Sequence, residues 1–220
     1  MQLTTPMRRA LIAGAAVTAL FTGAGGAAAA PPAPVSLPVP LPLSAPAGAS
    51  APLATHSPYG RLRPLAALSA ERLALGDLVA AAKWGTGSPI DDPAREQQVL
   101  DAVAERARQL GADPEATVRI FRDQIEASKI VQRGLHRRWD ADPAQAPAGR
   151  PDLGEIRKEI NRVNGELVRA LAATPEARSA PSCGPLLTVA AARERRERQL
   201  DTLHTAALAR SLRSVCEPRV

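Results

Sequence analysis

Aromatic side chains are scarce in this 220-residue chain, which has two Trp, one Tyr and two Phe. Single-stranded nucleic acid is held by bases stacked on aromatics within a basic groove, so the composition argues against a nucleic-acid partner despite a formal charge of +6. Much of that charge alternates with acids, as in ARERRERQLD from Ala192 to Asp201, the pattern of a solvated helix face. Histidine is equally rare. His56, His136 and His204 stand apart from one another and from both cysteines, so no metal-ligand spacing exists and no metal is expected. No segment alternates apolar and polar residues with a period of two, which removes the strand signal. No internal repeat is present, and no apolar run is long enough to span a bilayer.

What is present falls into three parts. Residues 1–30 read as a secretory signal: Arg8 and Arg9, an apolar run from Ala10 to about Phe21, then the small-residue tract GAGGAAAA. Its removal takes the formal charge from +6 to +4 and implies a secreted protein, extracellular or periplasmic, with no membrane attachment after cleavage. Residues 31–64 contain ten prolines and no periodicity, and are expected to form an extended tether without chemistry of its own. Residues 65–220 are long enough for one core, and are expected to fold as a single all-α domain of five to six helices.

Helical signals in that domain come in series. A first helix, Leu65 to Trp84, has Leu65, Leu68, Leu75 and Val79 on a stripe roughly 80° wide at ~100° per residue. A second opens on Asp91 or Asp92 with Pro93 in its first turn and stops at Gly111; its apolar side is Val99, Ala102, Val103 and Leu110. Asp113-Pro114 opens a third, with Val118, Phe121, Ile125, Leu135 and Trp139 inward. A proline-rich loop (Asp140 to Asp152) precedes a fourth, with Leu153, Ile156, Ile160, Val163, Leu167 and Leu171 inward. SAPSCG (Ser179 to Gly184) breaks the chain before two final segments, with Leu186, Leu187, Val189, Leu200, Leu203, Leu208, Leu212 and Val215 as apolar positions.

Polar residues interrupt these inner faces. Arg72 and Lys83 share the first stripe; eleven residues apart, they project within roughly 20° of each other and about 16 Å apart along the axis. Asp92, Arg95 and Glu96 lie at the start of the second helix, Ser128 and Gln132 are one turn apart on the third, and Arg157 borders the inner face of the fourth. Taken singly, Arg72 could snorkel and Lys83 could sit in a frayed last turn. Four successive helices with such intrusions instead imply a shared polar pocket inside a bundle. It is rich in permanent cations and offers no nucleophile beside a base, so it is suited to holding an anion.

Cys183 and Cys216 are the only cysteines. In an exported chain the pair reads as a disulfide, with two buried thiols or an intermolecular bridge as the alternatives. A straight helix between them would part them by about 50 Å, far beyond the roughly 7 Å that a bridge tolerates. An intramolecular bridge therefore requires the chain to turn back near Arg193 to Asp201, although no Gly or Pro marks that place.

The order Arg72-x10-Lys83-Trp84, PIDDPAR (Pro89 to Arg95), IFRDQIEASKIVQ (Ile120 to Gln132), PDLGEIR (Pro151 to Arg157) and APSC (Ala180 to Cys183) with a second cysteine near the end resembles the secreted subclass of the all-α chorismate mutases, from about Leu65 to Cys216. The resemblance implies the rearrangement of chorismate to prephenate on the route to phenylalanine and tyrosine, without cofactor, in a homodimer. It implies that Arg72 and Arg157 clamp the two carboxylates, with Arg95 in support. Lys83 would reach the ether oxygen and a carboxylate, and Gln132 would be the second donor to that oxygen. Glu96 and the Asp92 region would take the ring hydroxyl, Ser128 would assist at a carboxylate, and Ile125 would be wall. The chain departs from secreted members that carry Glu at position 132, Thr at 128 and Gln at 99; Glu96, Ser128 and Gln132 together are closer to the cytoplasmic all-α enzymes. A non-catalytic helical module that binds a small dianion is the alternative.

Overall fold

Ser57 opens the first helix: its Oγ accepts from Gly60 N at 3.0 Å, and Pro58 occupies the first turn. The computed structural model describes residues 57–216; the expected signal, 1–30, and positions 31–56 of the expected tether lie outside the described residues. The first helix, α1, spans Pro58–Lys83, so the folded part starts seven residues before the boundary expected at 65. Proline is what hid this start. Pro58 sits where the helix has no bond to lose, Pro64 forfeits one ladder bond on an exposed side, and Leu62 and Leu65, both 0% exposed, compensate by burial.

Six more α-helices follow among the described residues: α2 Pro93–Gln109, α3 Pro114–Ala141, α4 Leu153–Ala172, α5 Pro175–Ser179, α6 Cys183–Glu197 and α7 Thr202–Ser211, with a 3₁₀ turn at Pro143–Gln145. No strand occurs among them. The all-α class is as expected, and the short α5 adds one helix to the expected count. Acidic caps set the starts: Asp92, Asp113, Asp152 and Asp201 each accept a backbone N–H from the first turn that follows. Asp92, not Asp91, caps α2.

The centre of the fold is α1, packed against α3, α4, α6 and α7. Its buried face includes Leu62, Leu65, Leu73 and Val79 but also Ala66, Ser69, Ala70, Gly76 and Ala80. At ~100° per residue these cover about half the helix circumference, more than the expected 80°. The small residues, neutral in a hydrophobicity pattern, let neighbouring helices approach. Gly76 shows this most clearly, since a Cβ there would stand 3.1 Å from Ser128 Oγ on α3.

A polar layer crosses the core beside α1. Gln124 Nε2 donates to Ser69 Oγ at 2.7 Å and to Ser211 O at 3.1 Å, tying α3 to α1 and to the end of α7. Arg210 of α7 pairs with the buried Asp123 on α3. Two residues expected inside are outside: Val189 is 54% exposed, and Ala102 is exposed while Leu100, Ala104 and Ala107 are buried instead. In each case the helix is rotated so that its small or neighbouring residues meet the core.

Cys183, at the start of α6, is bonded to Cys216, with Cα atoms 5.8 Å apart. The return between them falls at 198–201, inside the window expected. With no glycine there, Gln199 itself takes a left-handed φ of 52°, and Asp201 caps α7 directly afterwards.

Candidate active site

The four helices α1, α2, α3 and α4 enclose a cavity, and all eight residues expected to share a site line it: Arg72, Lys83, Asp92, Arg95, Glu96, Ser128, Gln132 and Arg157. One chain supplies every one of them. About 110 Å³ of it is open to the centres of water molecules, several times the roughly 10–15 Å³ that one water needs, so it suits a small organic molecule. Val79, Ile90, Val99, Ile125, Leu153 and Ile160 supply apolar wall.

Arg72 is 6% exposed and does not snorkel. Its Nε donates to Asn164 Oδ1 at 2.9 Å and its Nη1 to the Gln124 carbonyl at 2.8 Å. Burial lowers its pKa to about 10, which still leaves it cationic at neutral pH. The guanidinium is thus fixed at two points before any ligand arrives, and the Gln124 bonds to Ser69 and Ser211 brace the second.

Lys83 closes the last turn of α1 and is not frayed. Its Nζ instead donates to the carbonyls of Pro89 and Ile90, at 2.8 and 3.3 Å. The loop that brings them back turns through Gly85 and Gly87, at φ of 70° and 74°, a region that favours glycine. Burial lowers the Lys83 pKa; Asp92 opposes this and Arg157 adds to it. An ammonium has three donors, so one remains for a ligand.

Arg157 lines the cavity half-buried, with no hydrogen-bond or ion-pair partner among the described residues. Arg95 is held at the rim by Gln98 Oε1 at 3.2 Å and Asn161 Oδ1 at 3.3 Å. On α3, Gln132 Nε2 donates to Ser128 Oγ at 3.2 Å, while its Oε1 is buried without a partner. Asp92 accepts from Arg95 N at 3.0 Å as helix cap, and Glu96 faces Lys129.

Two residues of the site were not singled out in the sequence. Lys129 lines the cavity within 3.3 Å of Glu96; it lies inside the IFRDQIEASKIVQ segment, but its neighbours Ser128 and Gln132 carried the stripe. Asn164 holds Arg72 from α4, and its place one turn after Ile160 on the inner face was the available signal.

An all-helical bundle with a cation-lined interior cavity defines the class of protein. Its relatives give that class a family. The model of the family described as chorismate mutase type II matches residues 63–133. The chain is 36% identical over 166 residues to the secreted chorismate mutase of Mycobacterium tuberculosis (strain ATCC 25618 / H37Rv), covering 76% of this chain and 83% of that protein. It is 37% identical over 165 residues to the secreted chorismate mutase of Mycolicibacterium smegmatis (strain ATCC 700084 / mc(2)155), covering 75% and 91%. The crystal structure of the chorismate mutase from Burkholderia thailandensis superposes with a TM-score of 0.68 at 37% identity, covering 71% of this chain and 99% of that one. The chain belongs to the chorismate mutase type II family, whose members are isomerases.

Proposed function

We propose that the protein is an exported chorismate mutase that converts chorismate into prephenate by a Claisen-type [3,3] rearrangement, serving the route to phenylalanine and tyrosine. The step is unimolecular and moves no proton, so catalysis consists of folding the substrate into a compact conformer and meeting the negative charge that gathers on the ether oxygen. The observation that carries this reading is the convergence of Arg72, Lys83, Arg157 and Gln132, from three helices, on one cavity.

Arg72 and Arg157 would take the two carboxylates, guanidiniums being matched to carboxylates in shape and charge. Arg72 is preorganised by Asn164 and Gln124; Arg157 has its donors uncommitted. The third donor of Lys83 and the second N–H of Gln132 would meet the ether oxygen, with Ser128 orienting the amide. Glu96 and Asp92 would accept from the ring hydroxyl, and Arg95 would add positive field. The protein would act outside the cytoplasm, consistent with relatives named as secreted, and as a homodimer in which each chain holds a whole site. No helix among the described residues is long and apolar enough to cross a membrane.

The test is direct. Purified protein supplied with chorismate should consume the diene absorbance and yield prephenate in equal amount. Absence of turnover with retained binding of a dianion would convert the protein into a binding module and end this proposal.

A further inference from the structure

Lys129 lines the cavity with its side chain 15% exposed, and its ammonium meets carboxylates from three places. Asp91 of the loop before α2 is at 3.2 Å, Glu126 one turn back on α3 at 3.2 Å, and Glu96 of α2 at 3.3 Å. Burial alone would lower its pKa, but Glu126, Asp91 and Glu96 together raise it, so its charge is secure across the working range of pH.

The contact with Glu96 differs in kind from the other two. Nζ is 3.3 Å from both oxygens of that carboxylate, so it holds the group by both oxygens at once, which fixes where the carboxylate sits and leaves other lone pairs free. Glu96 is itself a cavity residue, whereas neither Asp91 nor Glu126 lines the cavity. Asp91 and Glu126 have a second cation in Arg133, at 2.6 and 3.3 Å. Among the described residues the Glu96 carboxylate has no hydrogen-bond or ion-pair partner other than Lys129, and Lys83 feels its charge from farther away. Without Lys129 the Glu96 side chain would be free to rotate out to solvent, and its charge would face an incoming dianion with only the more distant Lys83 to offset it.

We propose that Lys129 is a positioning residue for the reaction: it holds the Glu96 carboxylate in place to accept the ring hydroxyl of the substrate, and offsets part of its charge. This rests on the role given to Glu96 above. Arg133 belongs to the same ion cluster but touches only its outer acids, which makes it the structural control.

The experiment measures kcat and KM on chorismate for full-length Lys129→Met, Lys129→Arg, Glu96→Gln, Arg133→Met and the double variant Glu96→Gln/Lys129→Met, with melting temperatures alongside. Lys129→Met should lower kcat/KM about 10- to 100-fold, Lys129→Arg should restore it to within about threefold, and Arg133→Met should stay within about twofold of the unmodified protein. In the Glu96→Gln background, Lys129→Met should add almost nothing, because Lys129 acts through Glu96. Full additivity of the two changes, or equal losses from Lys129→Met and Arg133→Met, would reduce Lys129 to a structural ion pair. A defective Glu96→Gln beside a normal Lys129→Met would defeat this proposal alone. A normal Glu96→Gln would remove the role of Glu96 and this proposal with it, and no turnover by the unmodified protein would defeat the enzyme reading itself.

Discussion

Lys83 is held by two loop carbonyls and flanked by Arg157, and its pKa is lowered chiefly by burial. In the proposed reaction its useful form is the cation. Activity should therefore decline on the alkaline side at a pH below the 10.5 of an ordinary lysine, and a pH–rate profile of kcat taken to pH 10.5 checks this. Replacing Lys83 by Ala should lower kcat by about 10²- to 10³-fold, the scale of losing one preorganised donor, with the melting temperature nearly unchanged. At Gln132 the expectation is different. An amide donates at any pH whereas a carboxyl donates only when protonated, so kcat should hold between pH 5 and 8, and Gln132→Glu should make it fall as pH rises. A steep fall in the unmodified protein that Gln132→Glu leaves unaltered would remove Gln132 as the donor.

Helix packing makes its own demands, most clearly where α1 crosses α3 at Gly76. A methyl group there would press on Ser128 Oγ, which is also the acceptor for Gln132 Nε2. Alanine should favour the helix by about 1 kcal/mol while displacing the Ser128–Gln132 pair. Gly76→Ala should thus keep or raise the melting temperature and still lower kcat, two measurements that separate site geometry from stability. The opposite case is Gln199, a non-glycine residue in the left-handed region between α6 and α7. Gln199→Gly should relieve about 1 kcal/mol of backbone strain, offset in part by greater freedom of the unfolded chain, and leave turnover untouched. Denaturant unfolding would show the balance.

Across the whole molecule, His204 ties α7 to α1. Its Nε2 lies 2.8 Å from Asp77 and its Nδ1 2.6 Å from Asp201. The hydrogen bond with Asp77, with help from Asp201 and against burial, raises its pKa to about 9. The folded state binds this proton more tightly than the unfolded state does, so the stabilisation is complete below about pH 6.5 and is lost as pH rises through about 9. Asp201 behaves in the opposite sense. Burial pushes it up, but the backbone N–H and ring of His204 and the Arg138 guanidinium outweigh this and hold it at about 2, so its contribution is present above about pH 3.8 and is lost as pH falls through 2. The protein should lose stability between pH 7 and 10 by about 1 kcal/mol after solvent screening, and His204→Gln should flatten that limb in thermal melts. Reducing the Cys183–Cys216 bridge, which closes a loop of sequence separation 33, should remove roughly 3–4 kcal/mol in the loop-entropy picture.

The linear order of residues was enough to indicate six of the seven α-helices among the described residues, the cap at Asp113, a cap at Asp91 or Asp92, and the eight polar groups of the cavity, because capping and the 3.6-residue period act over one or two turns. It also announced the return between the cysteines, since a covalent bridge imposes a distance whatever lies between. It did not disclose the breadth of the buried face of α1, which is made of Ala, Ser and Gly and depends on how near other helices come. Nor did it show that Asn164 and the Gln124 carbonyl brace Arg72, that loop carbonyls hold Lys83, or that Lys129 stands before Glu96. Those pairs lie 6 to 92 residues apart in the chain, and only the turn through Gly85 and Gly87 or the packing of one helix against another brings such partners within hydrogen-bonding range.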